Sequence, residues 1–214
     1  MHRLMMNSQA YRQSSHITDE LQQLDPQNRL LSRMTLRRLS AEAIRDSLLF
    51  VSQRLDETIG GPPDPVTVDF DGLVSVVPTP DGRWRRSVYV RHRRTQIPSM
   101  METFDYPQMG PNCLVRNVST VSPQSLMLMN NGQVRELAAS FAARVLGETK
   151  GKPFETQVDT VYQLALSRLP NEAERKLGVE SLEQLQSHWQ GEPSKAMESY
   201  CHTILNSAAF IYID

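Results

Sequence analysis

Residues 131–171 read NGQVRELAASFAARVLGETKGKPFETQVDTVYQLALSRLPN, and the spacing of their apolar side chains decides the fold class. Val134, Leu137, Ala138, Phe141 and Val145 recur at the intervals of one helical face, with Gly147 as the expected stop. Val158, Val161, Tyr162 and Ala165 repeat the pattern up to Pro170. Asn171, with Glu174 three residues on, then predicts a capped third helix in which Ala173, Leu177 and Leu185 face inward. Met197, Tyr200, Cys201, Ile204 and Leu205 mark a fourth, ahead of an apolar tail at 210–213. Amphipathic helices joined by short connections predict a four-helix bundle-like part over residues 132–214.

Upstream the pattern changes. Ser122-Pro123 predicts a helix start, a hydroxyl cap with Pro in the first turn, over Leu126, Met127 and Met129. Ser40 is expected to cap a helix carrying Ala41, Ile44, Leu48, Val51 and Leu55, halted by Gly60-Gly61 and Pro62-Pro63. Between residues 60 and 80, five prolines, three glycines and three aspartates exclude a long helix. Stretches 66–70 and 73–77 read as a hairpin through Asp71-Gly72. Over 86–92, Val88 and Val90 alternate with Ser87, Tyr89 and Arg91, which predicts a half-buried strand. Residues 97–111 read as a Met- and Pro-rich loop. Residues 3–11 read as the back end of a helix, and Asp25-Pro26 as a turn followed by a short helix. The expected architecture is mainly α, in one folded unit. Its irregular, arginine-rich part over 1–131 holds a small β-hairpin or short sheet and is incomplete at its start.

A chain of 214 residues with net charge −1 is globular and selects neither a polyanion nor an acidic surface by charge alone. Up to residue 131 there are fifteen arginines, no lysine and thirteen acids, so arginine is the only cation of that part. Two cysteines make no disulfide framework and read as free thiols. No apolar run approaches the roughly 18 residues of a membrane span, and the first twenty residues lack a signal-peptide core.

Chemistry-bearing residues concentrate in RWRRSVYVRHRR at 83–94 and NCLVRNVSTVSPQSLMLMNN at 112–131. Guanidinium forks bind carboxylate, sulfate or phosphate, so Arg86, Tyr89, Arg91, Arg94, Asp105, Cys113 and Arg116 form the candidate cluster. One reading of it is an anion site for a sulfated or otherwise anionic polysaccharide; the other is structural pairing with nearby acids. Nucleic acid ranks behind both. Cys113 with Arg116 and His92 is the one arrangement resembling an activated thiol. His2, His16, His92, His188 and His202 never take metal-ligand spacing, and Met100, Met101, Met109, Met127 and Met129 read as core filler rather than a metal set.

YRQSS at Tyr11, NRLLSR at Asn28, RLSAEAIRD at Arg38, SQRLDETIGGP at Ser52, RRSVYV at Arg85, FDYP at Phe104, Cys113 with Arg116, SPQSLMLMNN at Ser122 and LPNEAE at Leu169 occur in order along the chain. Together they resemble the C-terminal domain of unknown function in planctomycete cytochrome-c-associated proteins. The resemblance implies a truncated or split copy of a longer protein, set in the periplasm or cell envelope. It implies no cofactor in this chain, haem belonging to associated modules, and as partner another protein domain absent from it. The function it implies is an accessory or interaction domain; the alternative, an enzyme or enzyme fragment binding anionic or sulfated polysaccharide, rests on the arginine cluster. The resemblance carries no catalytic residues to transfer.

Overall fold

The computed structural model describes residues 1–107, 113 and 115–213. Helices dominate, and among the described residues the strands pair only as small two-stranded sheets, so the chain is mainly α. Two compact units are distinguished, one of residues 1–39 with 212–214 and one of residues 40–211.

The first unit carries α1 (His2–Met6), α2 (Asp19–Leu24) and β1 (Arg37–Arg38). It is held by hydrogen bonds more than by a core. Asp25 and Arg38 are buried, whereas Leu4, Leu24, Leu30 and Leu31 are exposed. Asp25 accepts from the backbone N–H groups of Arg29 and Leu30, and Arg33 donates to the carbonyls of Asp25 and Pro26. This explains a correction. The helix lies before Asp25-Pro26, because the Asp25 carboxylate captures the N–H groups that a following helix would need.

In the second unit, Ser40 caps α3 (Ala41–Val51) by accepting from the Ala43 N–H, as the sequence predicts. The helix ends at Val51 rather than Leu55: the Ser52 hydroxyl takes the carbonyls of Leu48 and Leu49, and Gln53 turns to φ 58°. Leu55 then enters β2 (Leu55–Asp56). The hairpin forms as expected from β3 (Val66–Val68) and β4 (Val74–Val76), with Val66 opposite Val76 and Gly72 at φ 84° in the turn. β5 (Trp84–Arg85) runs parallel to β2, and residues 87–89 curl into a 3₁₀ turn where the alternation predicts a strand. Val88 is 76 % exposed there, so a valine in an alternating pattern is no evidence of burial. Within the expected loop, α4 (Ser99–Thr103) is helical because Met100 and Met101 both bury where it packs on α3. Met109 and residues 108–112 lie outside the described residues.

α5 (Ser122–Asn130) starts with Ser122 already helical and Val121 at the cap, one residue earlier than predicted. Asn131 ends it and caps α6 (Gly132–Glu148), accepting from the N–H groups of Gln133 and Val134. α6 runs through Gly147, and α7 (Phe154–Leu166) ends at left-handed Ser167 rather than at Pro170. α8 (Glu172–His188) has the predicted reciprocal bonds between Asn171 and Glu174. α9 (Pro193–Leu205) follows, then α10 (Ala208–Ile211). β6 (Tyr212–Ile213) belongs to the first unit and pairs antiparallel with β1.

α6, α7, α8 and α9 form the four-helix part around Val134, Phe141, Val158, Leu182, Met197 and Leu205. The inward face of α8 needs correcting: Gly178 and Leu182 are buried, while Ala173 and Leu177 are exposed and Leu185 is half-buried. The three helices meet closely at Gly178. A Cβ there would lie 2.6 Å from Tyr200 Oη and 2.8 Å from Val158 Cγ1, so the absence of a side chain rotates the buried face. Gly178→Ala is therefore expected to destabilise the fold by about 1–3 kcal/mol through overpacking. Urea denaturation reads this as a lower midpoint with an unchanged slope.

Candidate functional site

The cationic residues of 83–94 meet α3 through two neighbouring side chains. Arg45, 3 % exposed, donates from Nη1 to the Arg85 carbonyl at 3.0 Å and to Ser87 Oγ at 3.2 Å. Asp46 accepts from Ser87 N–H at 2.8 Å and from the Ser87 hydroxyl at 2.7 Å. Residues 85–87 are thus drawn onto the helix, which gives the physical reason for the 3₁₀ turn. Burial lowers the Arg45 pKa to about 10 against the pull of Asp46 and Asp64, so the guanidinium stays charged at neutral pH.

Arg85 is buried and forked onto Asp64 Oδ1, Nε at 2.8 Å and Nη2 at 2.6 Å. Its remaining donors reach the carbonyls of Gly60 and Pro62, and its plane lies over the Tyr89 ring at 4.8 Å. The hydrogen bonds to Asp64 raise its pKa further. Asp64 is clasped by backbone as well, its N–H donating to Tyr89 O and its carbonyl accepting from Arg91 N–H.

Around this buried core lie the predicted residues. Arg86 is largely exposed, with Nε 3.5 Å from Asp46 Oδ2. Arg116, also exposed, holds both oxygens of Glu42 at 2.8 and 3.0 Å. Glu42 and Asp46 sit one turn apart on α3, so two of the predicted arginines are held by the same helix. Asp105, at φ 62°, accepts from the N–H and hydroxyl of Ser119, which also receives a bond from Gln124 Nε2. Tyr89 and Arg91 are half-buried and Arg94 is exposed. Cys113 is exposed and its Sγ donates to Val115 O.

The activated-thiol arrangement does not assemble among these contacts: Arg116 is engaged by Glu42, and His92 packs against Tyr106 with ring centroids 4.9 Å apart. Tyr106 has its pKa raised by burial and then by Glu42, against Arg116. The other thiol, Cys201, is fully buried and pushed well up by desolvation, which makes it inert. His202, beside it, sits 2.9 Å from the Leu128 carbonyl through Nε2. Among the described residues no three His, Cys, Asp or Glu side chains gather as metal ligands. Among the same residues no helix is long and apolar enough to cross a membrane.

Sequence reasoning missed Glu42, Arg45, Asp46, Asp64 and Ser87. A usable signal existed for α3: Arg45-Asp46 place a charge pair beside the apolar stripe of Ile44 and Leu48. Nothing in the spacing identifies Asp64 as the acceptor for Arg85, twenty-one residues away.

A family model, PSD1, described as a protein of unknown function (DUF1553), matches residues 1–182. No curated protein and no solved structure matches. The match ends within α8, although α9, beyond it, supplies Met197, Cys201 and Leu205 to the core.

Two outcomes follow from the geometry. Arg45→Ala, which removes a buried guanidinium and strands the groups it binds, is expected to cost about 3–5 kcal/mol in chemical denaturation. Asp81 has its pKa lowered from 3.8 to about 2 by the Thr79 hydroxyl and then Arg83. Its folded value lies below its unfolded one, so its contribution is present above 3.8 and is lost as pH falls towards about 2. Asp81→Asn should accordingly narrow the difference in urea midpoint between neutral pH and about pH 3.

Proposed function

The chain belongs to that family of unknown function, and on this premise we propose that it is a non-catalytic accessory domain. It works in the cell envelope beside a cytochrome-c-like electron-transfer module or a polysaccharide-processing one. The observation that carries the reading is the engagement of Arg86 and Arg116 by carboxylates of α3. A charge already met by a carboxylate contributes less to binding an incoming anion, because the ligand must displace the resident acid. The cluster then serves to hold residues 85–119 on the helix. Haem belongs to the partner module, and this chain supplies the docking scaffold and no cofactor of its own.

The alternative, an anionic-polysaccharide site, draws its support from Arg94, which is exposed, and Arg91, which is half-buried. The two readings separate in one set of measurements on the purified chain. An accessory domain shows no turnover of polysaccharide or redox substrates and no retention on a sulfated-glycan column at low ionic strength. Retention that falls steeply with salt and is lost in Arg94→Ala transfers the assignment to the polysaccharide site. Turnover abolished by Arg86→Ala or Cys113→Ala overturns the non-catalytic reading.

A further inference from the structure

Asn131 and Gly132 stand side by side where α5 ends and α6 begins. Gly132 is exposed, its φ is not left-handed, and a Cβ built on it would meet nothing within 4 Å. The fold therefore has room for a side chain there, at a helical position where glycine is less stable than alanine. What the glycine changes is chemical. With no Cβ to shield it, the Gly132 backbone nitrogen can reach the side-chain amide of the preceding Asn131 more easily than the nitrogen of any other residue could. The folded chain holds that amide out of reach. Asn131 Oδ1 accepts from the N–H groups of Gln133 at 2.9 Å and Val134 at 3.2 Å, Nδ2 donates to Met127 Sδ at 3.5 Å, and the backbone N–H donates to Met127 O. At φ −67°, ψ 127° the Gly132 nitrogen is also rotated away from the Asn131 side chain. Closing a ring between them needs both a turn of ψ and release of the cap.

We propose that Asn131 is a deamidation site gated by the fold, inert while it caps α6 and converted when the α5–α6 junction opens. In the opened chain, hydroxide removes the Gly132 amide proton and the nitrogen attacks Asn131 Cγ. The new N–Cγ bond forms, the Cγ–Nδ2 bond breaks, and Nδ2 takes a proton from water and leaves as ammonia. Water then opens the resulting succinimide at either carbonyl. Opening at Cγ restores the original backbone with an aspartate at 131. Opening at the main-chain carbonyl leaves an isoaspartyl linkage, in which the chain runs through Cγ. The two products treat α6 differently. Aspartate keeps the capping acceptor and adds negative charge at the helix N-terminus, where the macrodipole favours it. The isoaspartyl form lengthens the backbone by one methylene and moves the carboxylate onto Cα, away from the N–H groups of Gln133 and Val134. Val134 is a core residue, so a lost cap reaches the bundle. Opening of the junction is thus recorded covalently, and the isoaspartyl fraction cannot re-form the cap. The site is independent of the accessory-domain reading, since it concerns only the covalent chemistry of this chain.

The test is peptide mass mapping of the full chain held at mildly alkaline pH, in buffer and in urea, with Asn206, which precedes Ser207, as the internal comparison. In urea Asn131 should convert faster than Asn206, and Gly132→Ala should bring it down to the Asn206 rate. In buffer the folded chain should convert at Asn131 about tenfold or more slowly than in urea, because the reaction waits on local opening. After refolding, chains carrying the isoaspartyl linkage should unfold at lower urea than the Asn131→Asp variant, which has the same charge on an unaltered backbone. Equal conversion of Asn131 in buffer and in urea overturns the proposal. So does a urea rate that Gly132→Ala leaves unchanged, or isoaspartyl chains with the urea midpoint of Asn131→Asp.

Discussion

The second unit depends on one pair of neighbouring side chains on α3. Arg45 and Asp46 are adjacent, so they project about 100° apart around the helix. Arg45 points into the interior and Asp46 sits at its edge. Together they grip the Arg85 carbonyl and the Ser87 N–H and hydroxyl. Past β5 the gripped chain leaves the strand and curls into the 3₁₀ turn at 87–89. Just before the curl, Arg85 is forked onto Asp64 and Trp84 lies in the core, where its indole N–H donates to Val76 O and anchors the hairpin. The hairpin in turn donates the Val74 N–H to Ser99 Oγ at the start of α4. The polar constraint on α3 thus runs through most of the irregular region.

Arginine suits this task better than lysine. Arg85 satisfies a carboxylate and two carbonyls with one planar group and still lies over an aromatic ring. An ammonium has neither the fork nor the flat face. The exclusive use of arginine up to residue 131 is in keeping with such wiring, because irregular backbone has carbonyls to satisfy that helices satisfy internally. Two exposed arginines, Arg86 and Arg116, extend the same pattern to the surface at lower energetic weight, since solvent screens them.

The helical part is held differently. Its core is apolar, and its tightest point is steric rather than electrostatic, at Gly178 between Val158 and Tyr200. Tyr200, whose pKa burial raises, and Cys201 behave there as packing groups. Leu177 lies exposed on α8, outside that core, as single apolar residues commonly do on protein surfaces.

Periodicity and capping chemistry belong to the sequence alone. The Ser40 cap, the Asn171–Glu174 box, the Asp71-Gly72 hairpin and the inward faces of α6 and α9 are all local, set by residues near each other in the chain. The family resemblance, too, is legible residue by residue, and the match over 1–182 supports its coarser statement of a domain of unknown function. Tertiary structure decided whatever depended on a distant partner. The alternating valines of 86–92 carry a strand pattern, yet Arg45 and Asp46, some forty residues away, override it. Met-rich 99–103 is helical because α3 covers it, and α8 turns Gly178 inward because Tyr200 and Val158 need its space. Local spacing cannot encode these outcomes, because the free energy that selects them comes from contacts made only once the chain has folded.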